Sequence, residues 1–88
     1  MEQDKSLPSW YVYIVRASDQ SLYTGITTDP EPRLAEHQSG KAGAKYFRSR
    51  GALEIVYLEA SADRSSASKR EAQIKKLSRL EKLALIKR

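Results

Sequence analysis

The sequence predicts a small α/β (α+β) fold, a three-stranded antiparallel sheet flanked by helices, and three observations carry that prediction. Trp10 to Val15 and Leu22 to Thr27 are rich in aromatic and β-branched residues and bracket the polar turn formers Ala17-Ser18-Asp19-Gln20, the pattern of a β-hairpin. Leu53-Glu54-Ile55-Val56-Tyr57-Leu58-Glu59 alternates in a way that predicts a third strand, with Leu53, Ile55, Tyr57 and Glu59 on one face. The remaining long segments carry helix start and stop signals.

In chain order, residues Met1 to Ser9 end in Leu7-Pro8-Ser9 and offer little to bury, so they read as a frayed lead-in to one domain spanning 10–88. Along the first strand Tyr11, Tyr13 and Val15 share a face, and along the second Tyr23 and Gly25 do. Pairing Tyr13 with Tyr23 directly or diagonally sets two phenols side by side, and Gly25 leaves space there for something to approach the backbone. Asp29-Pro30 predicts a helix start, with Asp29 as N-cap, and Gly40 a stop. Within that helix Arg33 and His37 are four residues apart on one face. A solvated surface pair and a pair converging on one object both satisfy that spacing.

Residues 40–51 hold three glycines, the cations Lys41, Lys45, Arg48 and Arg50, and the adjacent Tyr46 and Phe47. A helical turn is expected around Lys45 to Ser49. The segment reads either as a phosphate-contacting loop in which an aromatic stacks on a base or as a basic surface loop pinned to the core. Asp63 to Leu77 is the next helix, and Ser78 with Glu81 forms a capping-box pattern for a last helix from Arg79 to Lys87. Leu80, Leu83 and Ala84 are expected to form its inner stripe. In the Asp63 to Leu77 helix, Ala67, Glu71, Ile74 and Ser78 fall on one side at about 100° per residue. An inward Glu71 must be ion-paired, hydrogen-bonded, snorkelling or metal-bound, because an unpaired buried carboxylate is costly.

Length and charge bound the rest. At 88 residues the chain buries only about 60% of the surface its unfolded form exposes, enough for one small core. Sixteen Lys and Arg against eleven Asp and Glu give a net charge of +5, which favours an anionic partner, nucleic acid first. With no cysteine, disulfides and thiolate metal sites are excluded. No run reaches transmembrane length and no apolar leader follows the N-terminus, so no membrane partner is expected and the predicted location is the cytoplasm.

Tyr11-Val12-Tyr13 and Tyr23-Thr24-Gly25 resemble the paired tripeptides of the GIY-YIG nuclease superfamily. The order that follows resembles it too: Arg33 on the next helix, His37 matching a histidine of some branches, and Glu71 on a later helix. The Arg33…His37-Gln38-Ser39-Gly40 and Arg70-Glu71-Ala72 contexts are most similar to small, single-domain, YhbQ-like bacterial members. The resemblance covers about Trp10 to Leu77. Ile26 replaces the lysine that follows Y-I-G in several relatives, the repair excinuclease among them. The asparagine that closes the site in some homing endonucleases has no counterpart, since the chain contains none.

What the resemblance implies is a metal-dependent endonuclease of the DNA-repair kind, acting on DNA in preference to RNA and on structured or damaged substrates, with a protein partner for targeting. The alternative it leaves is a non-catalytic nucleic-acid-binding module on the same fold. In the enzyme reading Tyr13 is the general base, Tyr23 positions water or phosphate beside it, Arg33 and His37 complete the catalytic set, and Gly25 shapes the site. Glu71 holds Mg²⁺ or Mn²⁺, and Lys41, Lys45, Arg48 and Arg50 contact the nucleic acid. A free tyrosine is only about 0.1% phenolate at neutral pH, so either its pKa is lowered or a metal-bound hydroxide does the work instead.

Overall fold

The computed structural model describes residues 9–88, so the expected lead-in, Ser9 apart, lies outside the described residues. Three strands, β1 (Trp10–Ala17), β2 (Leu22–Thr27) and β3 (Ala52–Ser61), form one antiparallel sheet in the order β2-β1-β3. Four helices, α1 (Pro30–Ser39), α2 (Ala44–Phe47), α3 (Arg64–Lys75) and α4 (Arg79–Ile86), complete the fold. The central strand carries the most apolar run, and Val12 through Val15 are all buried, as a strand covered on both faces requires.

Each face of the sheet has its own core. On one, Val12 and Ile14 pack with Ala67 and Ile74 of α3 and Leu85 of α4. On the other, Tyr13, Val15 and Ala17 pack with Phe47 and Ala52, fringed by Tyr23, Leu34, Tyr46 and Ile55. The hairpin pairs Tyr13 with Gly25 and Val15 with Tyr23, so the two tyrosines are diagonal neighbours, their ring centroids 6.5 Å apart. The turn is locked by Asp19, whose Oδ1 accepts from the Ser21 backbone N–H and hydroxyl.

Three local expectations change. The expected alternation of β3 is broken: Ile14 faces Tyr57 while the next residue, Val15, faces Ile55. The extra residue is Val56, a β-bulge, and it leaves Ile55 on the α1 face but turns Tyr57 onto the α3 face. In α4 the inner residue is Leu85, 7% exposed, with Leu83 half-buried, while Leu80 is 79% exposed and Ala84 is exposed. The helix turns Leu85 and Ile86 toward the cluster already occupied by Ile74 and Leu77, so Leu80 and Ala84 are left outside. Asp29 does occupy the N-cap of α1 but makes no side-chain cap bond. Instead the Asp29 N–H donates to Thr27 Oγ1 at 3.0 Å. The Ser78/Glu81 capping box of α4 forms as the sequence predicts, and α3 opens at Asp63, whose side chain caps it by accepting from the Ser66 N–H.

Candidate active site

Strand β1 aims Tyr13 at the α1 face, where it is 2% exposed. Gly25 lies directly opposite on β2. The space left by its missing side chain is not open to an outside group, because the Tyr13 phenol fills it. A Cβ at Gly25 would sit 2.5 Å from the Tyr13 hydroxyl and 2.7 Å from Cζ. The glycine therefore lets the phenol lie flat along β2 and reach α1.

What it reaches is His37. The single histidine of the chain is 2% exposed, not solvated as a lone surface residue of α1 would be. Its Nε2 is 2.8 Å from the Tyr13 hydroxyl and its Nδ1 is 2.8 Å from the Ala42 carbonyl oxygen. A carbonyl only accepts, so Nδ1 carries the proton and donates to Ala42. Nε2 then has a lone pair, and the Tyr13 O–H donates to it. Gly43 makes this possible: its φ is +61°, and a Cβ there would stand 3.0 Å from His37 Nδ1. A side chain there would strain the backbone and crowd the ring, so glycine suits both demands.

The electrostatics agree with a neutral pair. Burial pushes the His37 pKa below its ordinary 6.5, the neighbouring Arg33 charge adds to this, and the Ala42 hydrogen bond and Glu36 oppose it. Burial likewise raises the Tyr13 pKa well above 10, with Tyr23, Glu71 and Glu36 adding to the rise and Arg33 opposing it. The expectation that something lowers the Tyr13 pKa is thus not met. The phenol stays protonated at rest, hydrogen-bonded to the neutral imidazole.

Around this pair the fold gathers an aromatic wall. Tyr23 stands edge-on to His37 with centroids 5.0 Å apart, and Tyr46 and Phe47 approach Tyr23 at 5.0 and 5.2 Å. Phe47, buried, is the residue that pins the glycine-rich segment to the core. Arg33 and Glu71, from α1 and α3, both lie close enough to bias the charge on Tyr13. Arg33 meets Glu36 at 3.4 Å with 39% of its side chain exposed, and Glu71 meets Lys75 at 3.1 Å with 22% exposed. Both pairs are local to one helix and weak enough to yield to a ligand.

The predicted nucleic-acid contacts divide. Lys41, Lys45 and Arg48 are exposed. Arg50 is engaged instead, its Nε 3.2 Å from Asp19 Oδ2 and its guanidinium 4.4 Å above the Tyr46 ring. Residues that sequence reasoning misses are Ala42, which acts through its carbonyl, and Gly43. The glycine spacing is the only signal for them, and on its own it reads as mobility.

Among the described residues no group of three His, Asp or Glu side chains converges on one point. A hydrated Mg²⁺ does not need one, since it binds through one or two carboxylates and keeps its waters and substrate phosphates. Glu71, a partly exposed carboxylate close enough to Tyr13 to raise its pKa, fits that donor set. A closed protein cage for Zn²⁺ is not built by these residues.

Comparison with known proteins gives one consistent result. Residues 9–84 match the family described as the GIY-YIG catalytic domain. The chain is 58% identical over 77 residues to a UPF0213 protein of Syntrophus aciditrophicus, covering 88% of each. It is 46% identical over 77 residues to the UPF0213 protein YhbQ of Escherichia coli, covering 88% of this chain and 76% of that one. Among solved structures it is similar to the solution NMR structure of a UPF0213 protein from Bacillus halodurans, with 44% identity, 89% of this chain and 82% of that one covered, and a TM-score of 0.56.

Proposed function

The chain belongs to the GIY-YIG catalytic domain family, and we propose that it is a divalent-metal-dependent endonuclease hydrolysing phosphodiester bonds in DNA, with structured or damaged DNA as its substrate. The observation that carries this reading is the Tyr13 O–H donated to His37 Nε2 at 2.8 Å, with His37 Nδ1 backed by the Ala42 carbonyl.

The chemistry follows from that geometry. As a water attacks phosphorus, the Tyr13 oxygen takes a proton from it while the phenol's own proton passes to Nε2. No free phenolate need accumulate, so a raised tyrosine pKa does not prevent the step. The imidazolium that forms keeps its hydrogen bond to Ala42. Tyr23, between His37 and the aromatic wall, orients the attacking water. Arg33 offers a planar fork to the non-bridging phosphoryl oxygens as their charge grows. Glu71 would hold Mg²⁺ or Mn²⁺, which when bound supplies charge neutralisation at the leaving oxygen. Lys41, Lys45 and Arg48 line the approach of the DNA backbone, and phosphate can compete with Asp19 for Arg50. A cytoplasmic location and a targeting partner belong to this reading.

The test is cleavage of labelled duplex, flap, four-way-junction and single-stranded DNA, with matched RNA, in Mg²⁺, Mn²⁺ or EDTA, comparing wild type with Glu71→Gln and His37→Gln. Metal-dependent cutting of DNA that both substitutions abolish is expected. Wild type and variants that shift the same substrates in a gel without cutting them would replace the nuclease by a binding module.

A further inference from the structure

We propose that Arg70, clamped by Glu59 and Tyr57 of β3, is a positioning residue that sets the roll of α3 and so aims Glu71 at the Tyr13 site. The inference rests on the reading of Glu71 given above. Helix α3 buries only Ala67 and Ile74, both fully, among its 12 residues. Seven residues apart, they form a single line along the helix, and a line of contact leaves rotation about itself weakly opposed. With 3.6 residues per turn, Arg70 and Glu71 lie about 50° to either side of that line. A grip on the Arg70 flank therefore decides where the Glu71 flank points.

The grip is present. Arg70 Nε lies 3.1 Å from both carboxylate oxygens of Glu59, and Nη1 donates to Gln73 Oε1 at 3.1 Å. The Tyr57 hydroxyl donates to Glu59 Oε1. Burial raises the Tyr57 pKa, which keeps it a donor. On the other flank, Glu71 is tied to Lys75, a residue of the same helix that turns with it and fixes nothing. The bulge at Val56 gains a purpose here: without it Tyr57 and Glu59 would share the face of Ile55 and point away from α3. Bulges beside functional sites commonly re-aim side chains in this way.

Arg70→Lys keeps the charge but loses the fork, and Glu59→Gln keeps an acceptor but loses the ion pair. Both are mild enough to fold, and melting curves are recorded for each. The direct readout uses Mn²⁺ alone and the paramagnetic broadening of backbone amide signals. In wild type the broadening is expected at the amides flanking Glu71 and at Tyr13 and Gly25 of the sheet. In both variants it is expected to fade at Tyr13 and Gly25 while persisting along α3. In the cleavage assay kcat is expected to fall about 10- to 100-fold, the range for a displacement of about 1 Å, with KM changed less than threefold. Broadening of Tyr13 and Gly25 unchanged in both variants would overturn the clamp, whatever their melting points. If wild-type protein cuts nothing, the nuclease reading fails, and the broadening pattern still decides the clamp on its own.

Discussion

The two faces of the sheet are built from different materials. Against α3 and α4 lies an aliphatic core of Val12, Ile14, Ala67, Ile74 and Leu85, with no titratable group among its buried members. Against α1 and α2 lies a core of rings, Tyr13, Tyr23, Tyr46 and Phe47, in which a histidine is buried and hydrogen-bonded on both nitrogens. Adjacent residues of one strand, Tyr13 and Ile14, serve the two faces. The difference teaches that along β1 the strand's own alternation separates the aliphatic core from the Tyr13–His37 pair, so substitutions one residue apart should fail in different assays.

The largest effect is expected from Tyr13→Phe. It removes the proton donated to His37, and kcat should drop by about 10²–10⁴-fold, the range for losing a positioned acid–base group. Urea melts should show a smaller cost, about 1–3 kcal/mol for the unpartnered His37 Nε2. Ile14→Ala should do the reverse. It opens a hole in the aliphatic face and should cost about 2–5 kcal/mol in the same melts, while kcat of the folded protein stays within threefold. A large loss of kcat there would break the separation of the faces.

Gly25→Ala sharpens the comparison, because its Cβ would collide with the phenol at 2.5 and 2.7 Å. The buried ring has nowhere inexpensive to go, so about 1–3 kcal/mol of stability should be lost. Activity should fall toward that of Tyr13→Phe. In the double variant the activity losses should be far from additive, since both act on one hydrogen bond.

The response to pH distinguishes the faces without mutation. Because the His37 pKa in the fold lies below its unfolded value near 6.5, the unfolded chain takes up a proton first as pH falls. The stability from neutral His37 is therefore complete above about pH 6.5 and declines as pH falls toward its native pKa. Melting temperatures should show this decline in wild type and lose most of it in His37→Gln. The smallest effect is expected at Leu80, whose exposure of 79% places Leu80→Gln within about 0.5 kcal/mol of wild type in urea melts.

Much of this fold is legible in local chemistry, and the exceptions share a cause. The hairpin, the capping box and the opening of α3 at Asp63 follow from residue types that act on their neighbours. The shared face of Tyr13 and Tyr23 follows from period-two alternation, whereas their diagonal rather than direct pairing is set by the register. The burial of His37 is not legible in this way, because α1 is mostly polar and only its packing on the sheet turns His37 inward. The Gly25 gap reads as an opening, since a sequence shows which side chain is missing and not which ring fills the space. The alternation of Leu53, Ile55, Tyr57 and Glu59 hides the bulge at Val56, which register with β1 alone reveals. Likewise the order of Tyr13, Tyr23, Arg33, His37 and Glu71 is visible along the chain, whereas the backbone carbonyl of Ala42 leaves no trace but the glycine spacing beside it, which on its own reads as mobility.

The central claim is that a neutral His37 accepts the Tyr13 proton, and one spectrum tests it. With a single histidine in the chain, a long-range ¹H–¹⁵N spectrum of the imidazole needs no assignment. A protonated Nδ1 and an unprotonated Nε2 at neutral pH, with the Nε2 signal displaced in Tyr13→Phe, is the predicted result. An Nε2–H tautomer or an imidazolium at that pH would mean that Tyr13 accepts a hydrogen bond where it should donate one, and would contradict the account.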